Sequence, residues 1–231
     1  MQSVEEGHAL GLVLSQMSKL GDGRKLKVGI DIDDTVADVS SVVKLVLEER
    51  HGFDFTLSGR KFDWSASGVR DKHFIDVYNE LWAEDGLRIR PMLSAGSYKE
   101  LVSKTDFTFV SARSDESTNG LYKWLERHYG KEVKVAIVEP RPYDMHGMRK
   151  LEQGYDILVD DSPHVAATMS HELAKNRALL LVDKWEEAIG RRHAPNTAVV
   201  ENVEHAARII FEAHRLSQKP IEKDSTGFLI V

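Results

Sequence analysis

Cysteine is absent from this 231-residue chain. Disulfides, thiolate metal sites and a cysteine nucleophile are thereby excluded, and the chain fits a reducing compartment. Long apolar runs are missing too. No stretch approaches the ~18 consecutive apolar residues that mark a membrane span, and the longest aliphatic segments, such as Ala178 to Val182, have the length of strands. The N-terminal residues include Glu5 and Glu6 and lack the basic-then-apolar order of a secretion signal. A soluble, cytoplasmic protein with no membrane partner is the expectation. Excess positive charge is also lacking. The formal net charge of −6 argues against a broad basic face for duplex nucleic acid, though it leaves room for a local basic pocket. No internal repeat or low-complexity tract stands out.

What is present is an alternation of short apolar runs and amphipathic stretches. Leu26 to Ile30, Phe107 to Val110, Val133 to Val138, Asp156 to Val159, Ala178 to Val182 and Thr197 to Val200 read as strands. Helical patterns lie between most of them, at Ala95 to Lys104 and Thr118 to Tyr129, with a last helix over Val203 to Leu216. Such alternation predicts right-handed crossovers and a mainly parallel sheet covered by helices on both faces. Residues 1–24 form an N-terminal extension, expected to be a loosely docked helix with Leu10, Val13, Leu14 and Met17 on one face. Residues 40–90 break the alternation with two helical stretches and an aromatic, turn-rich segment, and are expected to be a helical cap inserted after the first strand. The core is then residues 25–39 and 91–231. The segment from Val138 to Lys150, with Glu139-Pro140-Arg141-Pro142, is expected to be a long loop.

Three strands run directly into polar residues of matching chemistry. The first ends in Asp31-Ile32-Asp33-Asp34-Thr35, the second in Ser111-Ala112-Arg113, and a later one in Asp160-Asp161-Ser162. Ligands of open parallel sheets bind beyond the carboxyl ends of the strands. Gathering these carboxylates costs like-charge repulsion, which a hard divalent cation such as Mg2+ offsets through oxygen ligands. A carboxylate can attack phosphorus, a second can move the leaving-group proton, and a hydroxyl with a cation can hold phosphoryl oxygens. Each piece alone has a plainer reading. Asp160-Asp161 as a cap or turn outweighs Asp160-Asp161 as a ligand pair, and His164 and His171 read as surface or capping residues. The ordered set is what points to phosphoryl chemistry.

That set resembles the haloacid dehalogenase (HAD) superfamily. Ile30-Asp31-Ile32-Asp33-Asp34-Thr35-Val36 is similar to its first motif, Phe109-Val110-Ser111 to its second, and Leu158-Val159-Asp160-Asp161 to its fourth. Lys150 stands ten residues before Asp160, a placement that resembles the 5′(3′)-deoxyribonucleotidase-like group, as does the approach Arg90 to Gly96. Lys131, Lys134, Arg141 and Arg149 are alternative cations, and Arg113 is read either as a phosphate contact or as a carboxylate partner. The resemblance implies a Rossmann-like three-layer α/β core with a small C1-type cap. It implies Asp31 as nucleophile and Mg2+ ligand, and Asp33 as general acid/base with its backbone carbonyl on the metal. Asp161 and Asp160 would complete the metal site, Ser111, Lys150 and Arg113 would hold the phosphoryl group, and Thr35 would brace the loop. Aromatic residues of the cap would meet a nucleobase, with Phe62 and Trp64 nearest that place. Phe74, Tyr78 and Trp82, at i, i+4, i+8, read instead as core packing of the cap.

The implied activity is Mg2+-dependent phosphomonoester hydrolysis through an aspartyl phosphate, on a small phosphorylated substrate, foremost a (deoxy)nucleoside 5′-monophosphate. A polynucleotide 3′-phosphatase or a sugar or metabolite phosphatase would share the core chemistry. A phosphoaspartate receiver domain carries similar residues, but its acceptor aspartate follows a later strand, where this chain has Ser111. Nothing in the sequence argues against a homo-oligomer.

Overall fold

The computed structural model describes residues 2–21, 23–53, 70–113, 115–139, 143–182 and 194–218. Among these, six strands form one parallel sheet: β1 Lys27–Asp31, β2 Asp106–Ala112, β3 Val135–Val138, β4 Ile157–Asp160, β5 Ala178–Val182 and β6 Thr197–Val200. Their spatial order is β3-β2-β1-β4-β5-β6. The chain leaves the central strand β1 in one direction, returns, and continues in the other from β4. The strand order reverses between β1 and β4, which is where a doubly wound sheet opens a crevice for ligand.

The sheet is buried on both faces, so its strands read as continuous apolar runs. The larger layer comprises α1 Gln2–Ser18, α2 Val39–His51, α3 Asp71–Ala83, α4 Ala95–Lys104, α5 Asp115–Tyr129 and α8 Val203–Ser217. It packs on a cluster that includes Ile30, Phe109, Val159 and Leu180. The opposite layer comprises α6 Tyr143–Glu152 and α7 Pro163–Thr168 and packs on Val110, Leu158, Leu179 and Leu181. Alternation along each strand separates the two sets. Gly29 belongs to the second face, where a Cβ would lie 2.6 Å from the ring of buried Tyr155.

Two elements differ from the sequence expectation. The N-terminal helix is not loosely docked. Ala9 and Val13 are fully buried, Gln16 is nearly so, and α1 lies on α8 and β6. Its inner row is Ala9, Val13 and Gln16, so Val13 is inward as expected while Leu10, Leu14 and Met17 flank the contact. The stretch before Lys150 is helix rather than one long loop: α6 follows residues 140–142 at once. Leu151 and Met148 give it an apolar side despite the turn-forming residues upstream.

Candidate active site

Register brings the site together. Ile30 pairs with Val159, so the next residues, Asp31 and Asp160, are neighbours at the carboxyl edge of β1 and β4. Asp31 pairs with Val110, which places Ser111 one residue further on β2 and on the other face. The polar groups therefore divide into two halves across the edge of the sheet.

The first half faces α6. Lys150 projects from this helix and its Nζ donates to Asp31 Oδ1 and to Asp160 Oδ2, both at 2.6 Å. All three side chains are buried. Burial alone pushes the lysine pKa down, but Asp160 and Asp31 outweigh it and hold the ammonium above its ordinary range. Asp31 moves the opposite way. Burial, reinforced by Asp160 and Asp33 and opposed by Lys150, pushes its carboxyl up to about 7. Asp161 accepts a hydrogen bond from Thr35 Oγ1 at 3.1 Å, and Asp160 Oδ1 accepts from the Ser162 amide at 2.9 Å. Asp31, Asp160 and Asp161 each offer an oxygen within 4.8 Å of the others. Three carboxylates with one ammonium leave surplus negative charge in a buried place, and all-oxygen donors of this kind suit a hard divalent cation such as Mg2+.

The second half faces α3 and α5. Asp33 Oδ2 accepts from Arg113 Nη2 at 2.5 Å, Tyr78 Oη at 3.2 Å and Ser111 Oγ at 3.3 Å. Arg113 Nε also donates to Ser111 Oγ at 2.9 Å. Burial lowers the pKa of Arg113, yet Asp33 and Tyr78 more than compensate, so the guanidinium stays charged. Burial, then Asp33, drives the Tyr78 phenol far above its ordinary pKa, which keeps it a donor. Arg113 lies over the ring of Trp82, 4.5 Å from its centroid, a cation–π contact.

The loop between the halves is fixed by its own backbone. The Asp34 amide donates to Ala37 O at 2.8 Å, and the amides of Val36 and Ala37 donate to Ile32 O. Met92 and Asp38 tie the loop to residues 90–92. Asp34 has φ +61°, a region that aspartate tolerates better than most residues. Its carboxylate accepts from the amide and hydroxyl of Ser40. Asp34 thus serves the start of α2, where Asp38 makes no side-chain cap.

Of the residues singled out in the sequence, the structure brings Asp31, Asp33, Ser111, Lys150, Asp160 and Asp161 together at one sheet edge. Thr35 braces the site, through Asp161. Arg113 takes the carboxylate-partner alternative. Lys134 bonds Asp106 at the start of β2, Lys131 reaches toward Glu126 at the end of α5, and Arg149 bonds Glu152. None of these three replaces Lys150. Arg141, Phe62 and Trp64 lie outside the described residues. Tyr78 was missed. Trp82 is fully buried as core reasoning predicts, but Tyr78, one turn before it, brings a hydroxyl to Asp33. Helical spacing shows which face is inward and does not show that a tyrosine on that face ends at a carboxylate.

No family model and no curated protein matches the sequence. Solved structures match its fold. A protein of Lactobacillus plantarum assigned as a phosphoglycolate phosphatase shares 14% identity at a TM-score of 0.55, over 80% of this chain and 99% of that one. A haloacid dehalogenase-like hydrolase assigned in Burkholderia xenovorans shares 12% at 0.52, over 82% and 98%. A protein of Bacteroides vulgatus assigned as a β-phosphoglucomutase shares 12% at 0.52, over 93% and 100%.

Proposed function

We propose, starting from a fold shared with HAD-superfamily hydrolases, that this chain hydrolyses small phosphomonoesters. The observation that carries the reading is the joining of the two halves. A buried lysine bridges Asp31 and Asp160 on one face, and Asp33 with Ser111 lies at the next turn on the other. Asp31, Asp160 and Asp161, with the Asp33 carbonyl, would hold Mg2+. When bound, the ion would neutralise charge on the phosphoryl oxygens.

The chain's own residues account for the remaining chemistry. Lys150 takes one oxygen of Asp31 and leaves Oδ2 to attack phosphorus. The bond from phosphorus to the ester oxygen breaks, and Asp33 gives that oxygen a proton as the alcohol leaves. Asp33 then takes a proton from water, whose oxygen attacks the aspartyl phosphate and releases inorganic phosphate and free Asp31. Lys150 Nζ donates its third proton to a phosphoryl oxygen throughout, and Ser111 Oγ does so by turning its one proton from Asp33.

Within this class, the nucleoside 5′-monophosphate reading rests on the sequence resemblance around Asp31, Arg90 and Lys150. A sugar or metabolite phosphate is the second reading, favoured by the assignments of the similar structures. A panel of nucleotide, sugar and hydroxy-acid monophosphates, assayed with and without Mg2+, separates them. Turnover is expected on at least one ester, dependent on metal and abolished in Asp31→Asn. An inert panel with Mg2+ present, or a variant turning over at the native rate, would refute the proposal.

A further inference from the structure

Three polar atoms on Asp33 and the residues packed with it are buried and have no hydrogen-bond partner among the described residues: the acceptor Asp33 Oδ1 and the donors Arg113 Nη1 and Trp82 Nε1. They belong to residues in direct contact. Arg113 bonds Asp33 through Nη2 and lies over the Trp82 ring. The Arg113 side chain is 1% exposed, and Trp82 is fully buried. The imbalance within Asp33 is informative. Oδ2 accepts from three donors, whereas Oδ1 accepts from none. Native proteins rarely leave buried polar atoms unmatched without a reason. Arg–carboxylate pairs are frequently bidentate, whereas Arg113 engages only Oδ2 and turns its Nε to Ser111.

We propose that Arg113 and Trp82, packed beside Asp33, form a subsite reading the leaving group of the substrate. This rests on the hydrolase reading above. The ester oxygen, or the hydroxyl of the departing alcohol, would meet Asp33 Oδ1. An acceptor oxygen on the carbon next to the ester carbon would then meet Arg113 Nη1, with the indole N–H as a second donor. The substrate class is a phosphomonoester whose alcohol part carries an oxygen, as carboxylate or hydroxyl, adjacent to the ester carbon. A plain alkyl ester brings no such acceptor and leaves the buried donors unmatched, a cost that corresponds to roughly 10- to 100-fold in binding or rate.

Three small esters isolate the feature. Phosphoglycolate offers a carboxylate at that carbon, 2-hydroxyethyl phosphate a hydroxyl, and ethyl phosphate neither. In the Mg2+-loaded native protein, at least one oxygenated ester should exceed ethyl phosphate in kcat/KM by about 10-fold or more. The carboxylate leading would assign the selection to the guanidinium charge, and equal rates for the two oxygenated esters would assign it to hydrogen bonding alone. Arg113→Gln should slow all three esters and shrink the ratio toward one. Trp82→Phe keeps an aromatic ring under the guanidinium, removes the N–H, and should reduce the ratio by a smaller factor. A merely structural role for either residue would lower the three rates together and leave the ratio intact. Turnover with a native ratio near one, or a ratio surviving in both variants, overturns the subsite alone. No turnover on any ester of these or of the wider panel overturns the hydrolase reading and the subsite with it.

Discussion

At the scale of single residues, Asp31 sits in a place that disfavours its charge. An unfolded aspartate loses its proton near pH 3.8, whereas burial holds the folded Asp31 protonated to about pH 7. Between those values the unfolded chain has released a proton that the folded chain retains, so this residue's contribution to stability falls as pH rises. Asp31→Asn removes that dependence. In chelator, the variant should gain on the native protein as pH rises from 4 through 7. Urea denaturation at several pH values measures this. A stability difference that stays constant from pH 4 to 7 would show that the ion pair with Lys150 outweighs the burial of Asp31. The carboxylates and their order along the chain were legible in sequence, because an acidic cluster directly after an apolar strand is a local signal. The partners of Asp33 were not. Arg113 had two chemically sensible destinations, and only the packed position of α3 shows that it shares Asp33 with Tyr78.

At the scale of elements, the seating of α3 on α5 decides where Tyr78 and Trp82 arrive. The two helices approach at Gly120, where a Cβ would lie 1.7 Å from the Trp82 carbonyl oxygen. That neighbour is backbone, so a side chain at 120 must push the helices apart. Gly120→Ala should cost about 1–3 kcal/mol of stability by overpacking, read as a lowered thermal midpoint. It should also lower kcat by displacing Tyr78 from Asp33. Full activity with native stability would mean that α3 is held by its other contacts, among them the edge-to-face pair Trp82–Trp124 with centroids 6.1 Å apart. The strands were legible because each is a short apolar run followed by a turn or a polar group. α6 was obscured by turn-forming residues upstream and by an interior glycine, Gly147. That glycine admits α7: a Cβ there would meet Thr168 at 2.6 Å. A residue that weakens helix propensity was chosen by packing, which propensity alone does not reveal.

At the scale of the whole molecule, α1 closes one side of the core. Val13 is fully buried where α1 meets α8 and β6, and His8 Nε2 lies 3.3 Å from the Thr197 carbonyl oxygen on β6. Val13→Asp places an unpaired charge in that contact and should cost on the order of 4 kcal/mol or more, a large part of the ~5–15 kcal/mol that holds a domain together. The thermal midpoint should fall steeply. A native midpoint would mean that α1 contributes little to the core. The parallel sheet and its two covering layers followed from the alternation of patterns. The depth of α1 did not, because small residues such as Ala9 carry a weak hydrophobic signal even where they allow the closest packing.

The central position of β1 also sets a timetable for synthesis. Asp31 leaves the ribosome before its strand neighbours β2 and β4, and before Lys150, the cation that offsets its charge. The first helix waits longer still, since its partner α8 begins at residue 203. Contacts of such long sequence separation form late and slowly. A nascent chain therefore carries an unpartnered acidic strand and a bare amphipathic helix until those later partners emerge, and for that interval it is a natural client for chaperones.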